Sequence, residues 1–587
     1  MCYRGTSLEG IGIVVCRRAF FATLVMLFSI GVGPSAAASF DAGQEQSRAQ
    51  MTDRLQSLAE RVERSYEESL SQAGKSKEEK PEADEEESPA DVKLPIDKVI
   101  FEGNTVIANE DIVLLIKPFQ GSALSLSEAK AVAKIITNYY RSQGYISSRA
   151  YIPPQKLENK TLVIKIFEGH IGQIRPQRNR FFKSPTIKRH FNHLAGKVLQ
   201  YSDVVKASRK ANRHPDRAVK ALIARGIEDG TSDLIIDVEE KLPLHIGAEI
   251  NNSGSELTGF NRYSVSVRNT NLFGHEDIFS SSIQAGERMH GFFMQYTVPV
   301  PETQGEFGGS FNYTEVTFGS DFAILDLAGT ARSWSLFYNH PFYENSFISL
   351  TSTNAVESKT IRNTVINLLT SKDELRLLHT GIVAEVADPW GRSIVSNDLT
   401  FGVPAWGGDD KNHPLLSRAG AGANFFKYNS TAQRLHPVWD KTYLLLRTNL
   451  QLTPDKLVSA EQFEIGGAST VRGYPSGEYS GDYGAVAAAE FRAPLYFLPR
   501  SWRFPGSHDR LWENTHWTMF FDAGYAKIRS AAPGQSPTAN CRGVGTGIRF
   551  DFSRHFFGRV EYSVPMGDPP SDGSKKQWYF SLGGELP

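Results

Sequence analysis

Short runs that alternate between apolar and polar residues fill the chain from Leu244 to its end. Each run has one apolar and one polar face, as a β-strand has, and Gly, Asn, Asp, Ser and Pro separate the runs. Charged residues such as Arg447, Asp522 and Glu561 lie on the polar faces. Some 340 residues, at about 20 per strand with its connection, predict roughly sixteen strands. Clear apolar faces are Leu444, Leu446, Leu450 and Leu452; Trp517, Met519, Phe521 and Ala523; and Val560, Tyr562 and Val564.

This alternation fits two architectures. The two faces of a strand are core and solvent in a soluble β-sandwich or propeller, and lipid and lumen in a transmembrane barrel. A mean hydropathy of -0.32 does not separate them, because the lumen-facing residues of a barrel are polar. The number of strands and the near absence of helical patterns favour the barrel, whose closure pairs every strand edge. We therefore predict a mainly β protein with a transmembrane antiparallel β-barrel at 243–587.

Residues 1–38 have the order of a secretory signal peptide. Arg17 and Arg18 precede a short apolar run, and Ala36–Ala38 supply small residues for cleavage. The alternative is an uncleaved anchor helix, which the long flank before Arg17 leaves open. No later segment has the ~20 consecutive apolar residues that a helical span requires. Cys541 is the only cysteine after this region, so we expect no intramolecular disulfide framework.

The next two segments predict a helix on a tether. Residues 71–93 are dense in Glu and Lys and contain two prolines, which is typical of a charged flexible linker. Before them, residues 39–70 are expected to form a helix that serves either as a docking helix or short coiled coil, or as a movable plug. Its apolar stripe recurs every three or four residues and comprises Met51, Leu55, Leu58, Val62, Tyr66 and Leu70.

Two modules of about seventy residues follow, at 94–170 and 171–242. Each has the predicted element order β-α-α-β-β, which indicates a tandem repeat. In the first module, Ser125 and Glu128 form a capping box at the start of the longer helix. The closing strands of the two modules, 161–168 and 233–240, resemble each other in sequence.

Several motifs then occur in an order that resembles one family. Behind a signal peptide and two such modules, this order is similar to that of the TpsB transporters of two-partner secretion, in which two POTRA domains precede an outer-membrane barrel. The resemblance covers nearly the whole chain after the signal peptide. Its motifs are 212–219 and 230–238 in the second module, 251–255, Gly259 and 271–274 in the first hairpin of the barrel, Val471-Arg-Gly-Tyr474, and Phe521-Asp-Ala-Gly524.

The resemblance implies a location, partners and a function. It places the barrel in the outer membrane, and it places the N-terminal helix and the POTRA domains on the periplasmic side. The N-terminal helix resembles the plug helix of this family. The implied partner is a large, β-helical secreted exoprotein, which the POTRA domains capture unfolded and the barrel exports; outer-membrane lipid and the barrel-assembly machinery are further partners. A barrel assembly factor of the same superfamily is the alternative. Two POTRA copies and the helix before them favour export over assembly.

The resemblance also implies a lumenal latch, residues Val471, Arg472, Gly473 and Tyr474, at the tip of a loop that folds back into the barrel. Its expected partners on the wall are Phe521, Asp522 and Gly524. The Arg472 guanidinium offers a planar fork of donors suited to a carboxylate, and Asp522 lies on the polar face of its strand. The alternative for Arg472 is a surface ion pair worth about 0–1 kcal/mol.

Other functional classes have little support in the sequence. We find neither His-Glu-x-x-His nor Gly-x-Ser-x-Gly, and the 14 His residues lack metal-ligand spacing, so no catalytic residue, metal or cofactor is expected. Gly74-Lys-Ser76 lacks the upstream glycine of a nucleotide-binding loop. A net charge of -1 without a basic block gives no argument for nucleic acid. A passive porin would not need the periplasmic modules.

Overall fold

A computed structural model describes residues 93–586, apart from 120–122, 157–159, 213, 229, 320–324, 346, 506–508 and 553–555. The expected signal peptide at 1–38 and helix at 39–70 lie outside the described residues, as does the expected linker at 71–93 except for its last residue. The described chain falls into two units, which are treated separately below. One comprises the two modules together with residues 269–277, and the other comprises the barrel.

The first module has the predicted order β-α-α-β-β, and it adds two strands of two residues each, at Leu94–Pro95 and Ala123–Leu124, that pair with each other. Its central strand, β5, runs parallel to β2 and antiparallel to β4. The capping box forms as predicted: the Ser125 side chain accepts from the Glu128 backbone, and the Glu128 carboxylate accepts from the Ser125 backbone at 2.8 Å. The elements are β1 (Leu94–Pro95), β2 (Lys98–Glu102), α1 (Asn109–Ile116), a 3-10 turn (Lys117–Phe119), β3 (Ala123–Leu124), α2 (Leu126–Ser142), β4 (Arg149–Tyr151) and β5 (Thr161–Phe167).

The second module repeats this topology. Its central strand, β8, runs parallel to β6 and antiparallel to β7, and Ile187, Phe191 and Leu234 form part of its buried core. Among the described residues, none of the helices is long and apolar enough to cross a membrane. The elements are β6 (His170–Gln177), α3 (Ser184–Lys188), a 3-10 turn (Asn192–Leu194), α4 (Tyr201–Ala211), β7 (Arg217–Arg225) and β8 (Thr231–Glu240).

Residues 269–277 pack against the second module through Glu276. Its carboxylate accepts hydrogen bonds from Arg189, from Arg217 at 2.5 Å and from His190 at 2.9 Å. Burial alone would raise the pKa of Glu276, but the hydrogen bond from His190 and the charges of Arg217 and Arg189 lower it to about 2. Nearby, Thr186 donates to the Gly274 carbonyl oxygen at 2.9 Å.

Sixteen antiparallel strands close into a barrel, which confirms the predicted fold class. Strand β26 pairs with β9 from Ser581 opposite Asn251 to Leu586 opposite Ile246 and completes the ring. The strands are β9 (Leu244–Asn251), β10 (Arg262–Asn269), β11 (Ile278–Gly286), β12 (Met289–Val300), β13 (Gly305–Thr317), β14 (Leu327–Glu344), β15 (Ile348–Val365), β16 (Leu368–Asp388), β17 (Gly391–Gly402), β18 (Phe426–Trp439), β19 (Thr442–Leu452), β22 (Tyr483–Pro494), β23 (Thr515–Lys527), β24 (Thr538–Phe552), β25 (Phe556–Pro565) and β26 (Gln577–Leu586).

The two ends of the barrel differ in the length of their connections. One end carries the long connections 318–326, 403–425, 453–482, 528–537 and 566–576, and the loop 453–482 contains β20 (Phe463–Ile465) and β21 (Tyr479–Gly481). The other end carries mostly short turns, with the helix α5 (Leu511–Asn514) in its longest connection. Long loops are typical of the extracellular end of an outer-membrane barrel.

The two faces of the wall have opposite character. On β23 the side chains of Trp517, Met519 and Phe521 are 39–48% exposed on the outside, whereas Thr518 and Asp522 are fully buried in the interior. Successive side chains of a strand point to opposite faces, so this pattern gives an apolar outer surface and a polar lumen. The outer surface suits hydrocarbon, as the sequence pattern predicted.

Candidate functional site

The loop 453–482 lies in the lumen, and its tip reaches the inner wall formed by β22–β26. Its two short strands, β20 and β21, pair with each other from Phe463 opposite Gly481. At the tip, the Gly473 φ of 102° lies in the left-handed region, and a Cβ there would come within 3.0 Å of the Pro565 backbone nitrogen. Glycine at 473 therefore allows both the turn and the close approach to the wall.

Arg472 lies at the centre of the site and is 1% exposed. Its Nε donates to Asp522 Oδ2 at 2.7 Å, its Nη2 donates to Asp522 Oδ1 at 2.9 Å, and its backbone N–H donates to the same carboxylate at 3.1 Å. Its Nη1 lies 2.8 Å from Glu490 Oε2 and 3.4 Å from Glu561 Oε2. One guanidinium therefore bridges three buried carboxylates from β22, β23 and β25.

The aromatic ring of Phe520 also contacts the Arg472 guanidinium. The Arg472 Cζ lies 3.3 Å from the centroid of the Phe520 ring, within the range of a cation–π contact. The structure does not bring Phe521, an expected partner, to the loop, because its side chain is on the outer face and 47% exposed. Side chains alternate along β23, so the inward position next to Asp522 belongs to Phe520.

Gly524 makes room for the latch on the wall. A Cβ at this position would lie 2.6 Å from Val471 Cγ2, and Val471 is fully buried. On the neighbouring strand β24, a Cβ at Gly543 would overlap the carbonyl oxygen of Arg472. Two glycines on the lumenal face thus let the loop backbone approach the strands closely.

Tyr474 anchors the far side of the tip. Its hydroxyl accepts from the Gly567 backbone at 3.0 Å, and its carbonyl oxygen accepts from the Tyr579 hydroxyl at 2.9 Å. The Tyr579 hydroxyl in turn accepts from the Gly473 backbone at 2.9 Å. The latch therefore contacts β26, the strand that closes the barrel, as well as β22, β23 and β25.

The carboxylates around Arg472 belong to a wider network of charges on the lumenal wall. Arg492 Nε lies 2.7 Å from Glu490, and Arg549 lies 3.4 Å from Glu561. Arg447 approaches Glu490 at 3.9 Å. Glu490 was not among the predicted partners of Arg472, although it lies two residues before Arg492 on β22, at the spacing of two that places both side chains on the lumenal face.

A second contact holds the loop at its beginning, which sequence reasoning also missed. Glu461 lies in the 3-10 turn Ser459–Glu461 and is 4% exposed. It forms ion pairs with Lys359 of β15 at 2.7 Å and with Lys427 of β18 at 2.6 Å. These strands belong to a different arc of the wall from the partners of Arg472. The loop is therefore fixed at two separate places.

The extracellular end of the lumen also contains an apolar cluster. Next to this cluster, Arg418 of the loop 403–425 forms an ion pair with the fully buried Asp482 at 2.6 Å, which joins this loop to the end of the lumenal loop.

The apolar cluster itself is formed by side chains from both loops and by inward-facing side chains of the barrel wall. The cluster includes Leu416, Phe425, Leu457, Val458, Ile361 and Leu375.

Comparison with known proteins identifies the family. The haemolysin secretion/activation protein family, ShlB/FhaC/HecB, matches residues 230–550, more than half of the chain. This chain belongs to that family. The ShlB-type POTRA domain matches residues 94–169, and the module after it has the same topology. The chain is accordingly an outer-membrane transporter with periplasmic POTRA domains, as the sequence predicted.

Relatives agree with this assignment, and a solved structure has the same fold. The outer membrane transporter CdiB of Escherichia coli O6:K15:H31 is 24% identical over 413 residues, covering 69% of this chain and 70% of that protein. The heme/hemopexin transporter protein HuxB of Haemophilus influenzae 86-028NP is 20% identical over 508 residues, covering 84% and 87%. The solved CdiB from Escherichia coli has a TM-score of 0.66 at 21% identity and covers 92% of this chain and 99% of its own.

The barrel fold extends to an assembly protein as well. The structure of BamA from Haemophilus ducreyi lacking POTRA domains 1-3 has a TM-score of 0.54 at 15% identity, covering 84% of this chain and 100% of that one. This likeness concerns the fold alone. The family match and the transporters among the relatives support secretion over barrel assembly.

Proposed function

We propose that this transporter exports one secreted protein through its barrel, and that the loop 453–482 is a plug that Arg472 holds in the lumen until the substrate displaces it. The observation that carries the proposal is the contact of one fully buried guanidinium with Asp522, Glu490 and Glu561. Such a network closes the lumen in the resting state, and it breaks as a unit when the tip moves.

The periplasmic modules supply a place where an unfolded substrate binds. Strand β7 lies at the edge of its sheet, beyond the central strand β8, and is nine residues long. An extended partner can add a strand to such an edge, with affinity from backbone hydrogen bonds and little demand on its sequence. These properties suit the capture of a polypeptide before it has folded.

Export without a nucleotide site needs another source of free energy. In this proposal the exported chain folds outside the cell, which prevents its return and pulls the remainder outward. The substrate would be a large β-helical exoprotein. The helix expected at 39–70 is proposed as a second plug, which must also leave the lumen before the substrate enters.

The test replaces Arg472 with Ala in cells that also express a candidate partner, a signal-bearing β-helical secreted protein. The amount of that protein in the medium is compared with the amount retained in cells. Heat-modifiable gel mobility and the membrane level of the barrel report whether the variant assembles. Retention of the partner behind a folded barrel supports a latch that takes part in transport, and an open pore supports a latch that closes the lumen. Unchanged secretion through a folded Arg472→Ala barrel whose pore stays closed contradicts the role of the latch.

A second measurement separates export from barrel assembly. Depletion of this chain is followed by quantification of the other outer-membrane barrels and of the one secreted partner. The proposal expects loss of the secreted partner alone. A general loss of folded barrels would favour an assembly factor instead.

A further inference from the structure

A groove with an apolar floor runs over the outer face of β12–β15, outside the lumen. It has a volume of about 530 Å³. Strand pairing places Met294, Phe311 and Trp334 in one row across three strands, and Tyr296, Gly309 and Leu336 in the row below, towards the periplasmic end. Trp334 is 59% exposed and Leu336 is 55% exposed. Gly309 carries no side chain, and this gap forms the floor of the groove.

Basic side chains lie at the extracellular end of this groove. Arg376 of β16 continues the row of Trp334 across the sheet, through Ser358. Arg332 lies on β14, two residues closer to the extracellular end than Trp334. Arg362 of β15 pairs with Lys372 of β16, and this pair lies a further two residues towards the extracellular end. The buried neighbours Ala331, Ile361, Leu375 and Leu377 face inward, so these four cations lie on the outer face.

The carboxylates of this region do not balance the cations. Glu374 lies among the basic residues and forms an ion pair with Lys372 at 2.6 Å, and Glu315 accepts from the Tyr313 hydroxyl at 3.1 Å. Asp409, whose carboxylate accepts from the Glu374 backbone at 2.6 Å, adds a third negative charge. Four positive and three negative charges leave a net positive patch. It begins at the level of Trp334 and extends towards the extracellular end.

The order along the strands matches the cross-section of an outer leaflet. Aromatic residues mark the boundary between hydrocarbon and headgroups on outer-membrane barrels, and basic residues just beyond that boundary attract anionic headgroups. Below Trp334 the groove offers apolar surface for acyl chains. Above it, Arg376 and Lys372 are four residues apart on β16, or about 13 Å along the strand. That separation suits two phosphates at the ends of one sugar headgroup.

We propose that this outer face binds lipid A, the acylated disaccharide of the outer leaflet that bears a phosphate at each end. Its acyl chains occupy the groove over Gly309, and its phosphates contact Arg376 and the pair Arg362–Lys372. A phospholipid with a single phosphate would engage only part of the patch, so this site discriminates by the spacing of charges.

Native mass spectrometry of the full-length transporter in detergent tests this proposal, with lipid A and phosphatidylglycerol as separate probes. The triple variant Arg362→Gln/Lys372→Gln/Arg376→Gln is expected to bind lipid A at least tenfold more weakly, because each cation near a lipid headgroup contributes to the attraction. The control Arg434→Gln removes an outward arginine near the periplasmic end, where it pairs with Asp388 at 2.8 Å, and should leave binding unchanged.

A second variant tests the apolar part of the groove. The Cβ of Gly309→Leu would lie 3.2 Å from a Leu336 methyl group and fill the floor. It should weaken lipid A binding several-fold with all four cations in place. Heat-modifiable mobility confirms that each variant is folded. Equal binding of both lipids to the unaltered transporter, or full lipid A binding by the folded triple variant, would overturn the proposal.

Discussion

Arg472 carries more contacts than any simple ion pair, and a charge-preserving substitution separates its geometry from its charge. Arg472→Lys keeps one positive charge but loses the fork that binds Asp522 and Glu490 together. We expect the free energy of unfolding to fall by about 1–3 kcal/mol, against about 3–5 kcal/mol for Arg472→Ala, which leaves the buried carboxylates without their partner. Urea titration of the barrel in lipid vesicles measures both values.

The matched control is Arg434→Lys. This arginine also pairs with an aspartate, Asp388, but both side chains are about 30% exposed. An exposed pair contributes about 0–1 kcal/mol, so the control should barely change unfolding. If Arg472→Lys and Arg434→Lys lowered the free energy of unfolding equally, neither the burial nor the forked geometry of Arg472 would contribute to stability.

Gly524 offers a compensating pair of substitutions. Gly524→Ala places a Cβ against Val471 Cγ2 and should cost about 1–3 kcal/mol through overpacking. Val471→Ala removes that methyl group, so the double variant should cost less than the sum of the single changes. The same urea titration measures the coupling, with Ala523→Val on the outer face as control. If the costs of Gly524→Ala and Val471→Ala in unfolding free energy were strictly additive, Val471 would not pack against Gly524.

Among the elements, the segment 269–277 depends on pH through Glu276. The pKa of about 2 in the folded chain lies below the ordinary 4.5, so Glu276 stabilises the second module above pH 4.5 and this contribution disappears as the pH falls towards 2. The shift corresponds to about 3 kcal/mol. Hydrogen exchange of residues 171–242 in the full chain, corrected for intrinsic rates, should show less protection at pH 3 than at pH 6.

Glu276→Gln should remove most of this pH dependence and lower protection already at pH 6, because Arg217 then lacks its anionic partner. Glu239→Gln is the control, since Glu239 and its partner Lys220 are both more than half exposed. A pH response that survives in Glu276→Gln would assign it to other groups.

The sequence predicted elements better than contacts. The alternation on β23 was sufficient to place Asp522 in the lumen. The same alternation places Phe521 outside and Phe520 inside, but the motif Phe521-Asp-Ala-Gly524 was assigned to the latch as a whole, and so Phe521 was wrongly included. The partners of Glu461 were beyond reach, because Lys359 lies 102 residues away on a strand whose register the sequence does not specify. Strand register depends on pairing across the whole barrel, and local patterns do not encode it.

At the scale of the whole molecule, the lumenal loop is held by two anchors, Glu461 at its beginning and Arg472 at its tip. The fraction of open pores should therefore depend on both. Glu461→Gln weakens the contacts with Lys359 and Lys427, whereas Arg472→Ala releases the tip. If each anchor contributes about 2 kcal/mol to the closed state, each single variant raises the open fraction roughly 30-fold, and the double variant multiplies the two effects until the pore is mostly open. Conductance of purified protein in planar lipid bilayers measures these fractions, with Arg434→Ala as control. A double variant that conducts no more than Arg472→Ala alone would show that the start of the loop stays on the wall while only its tip moves.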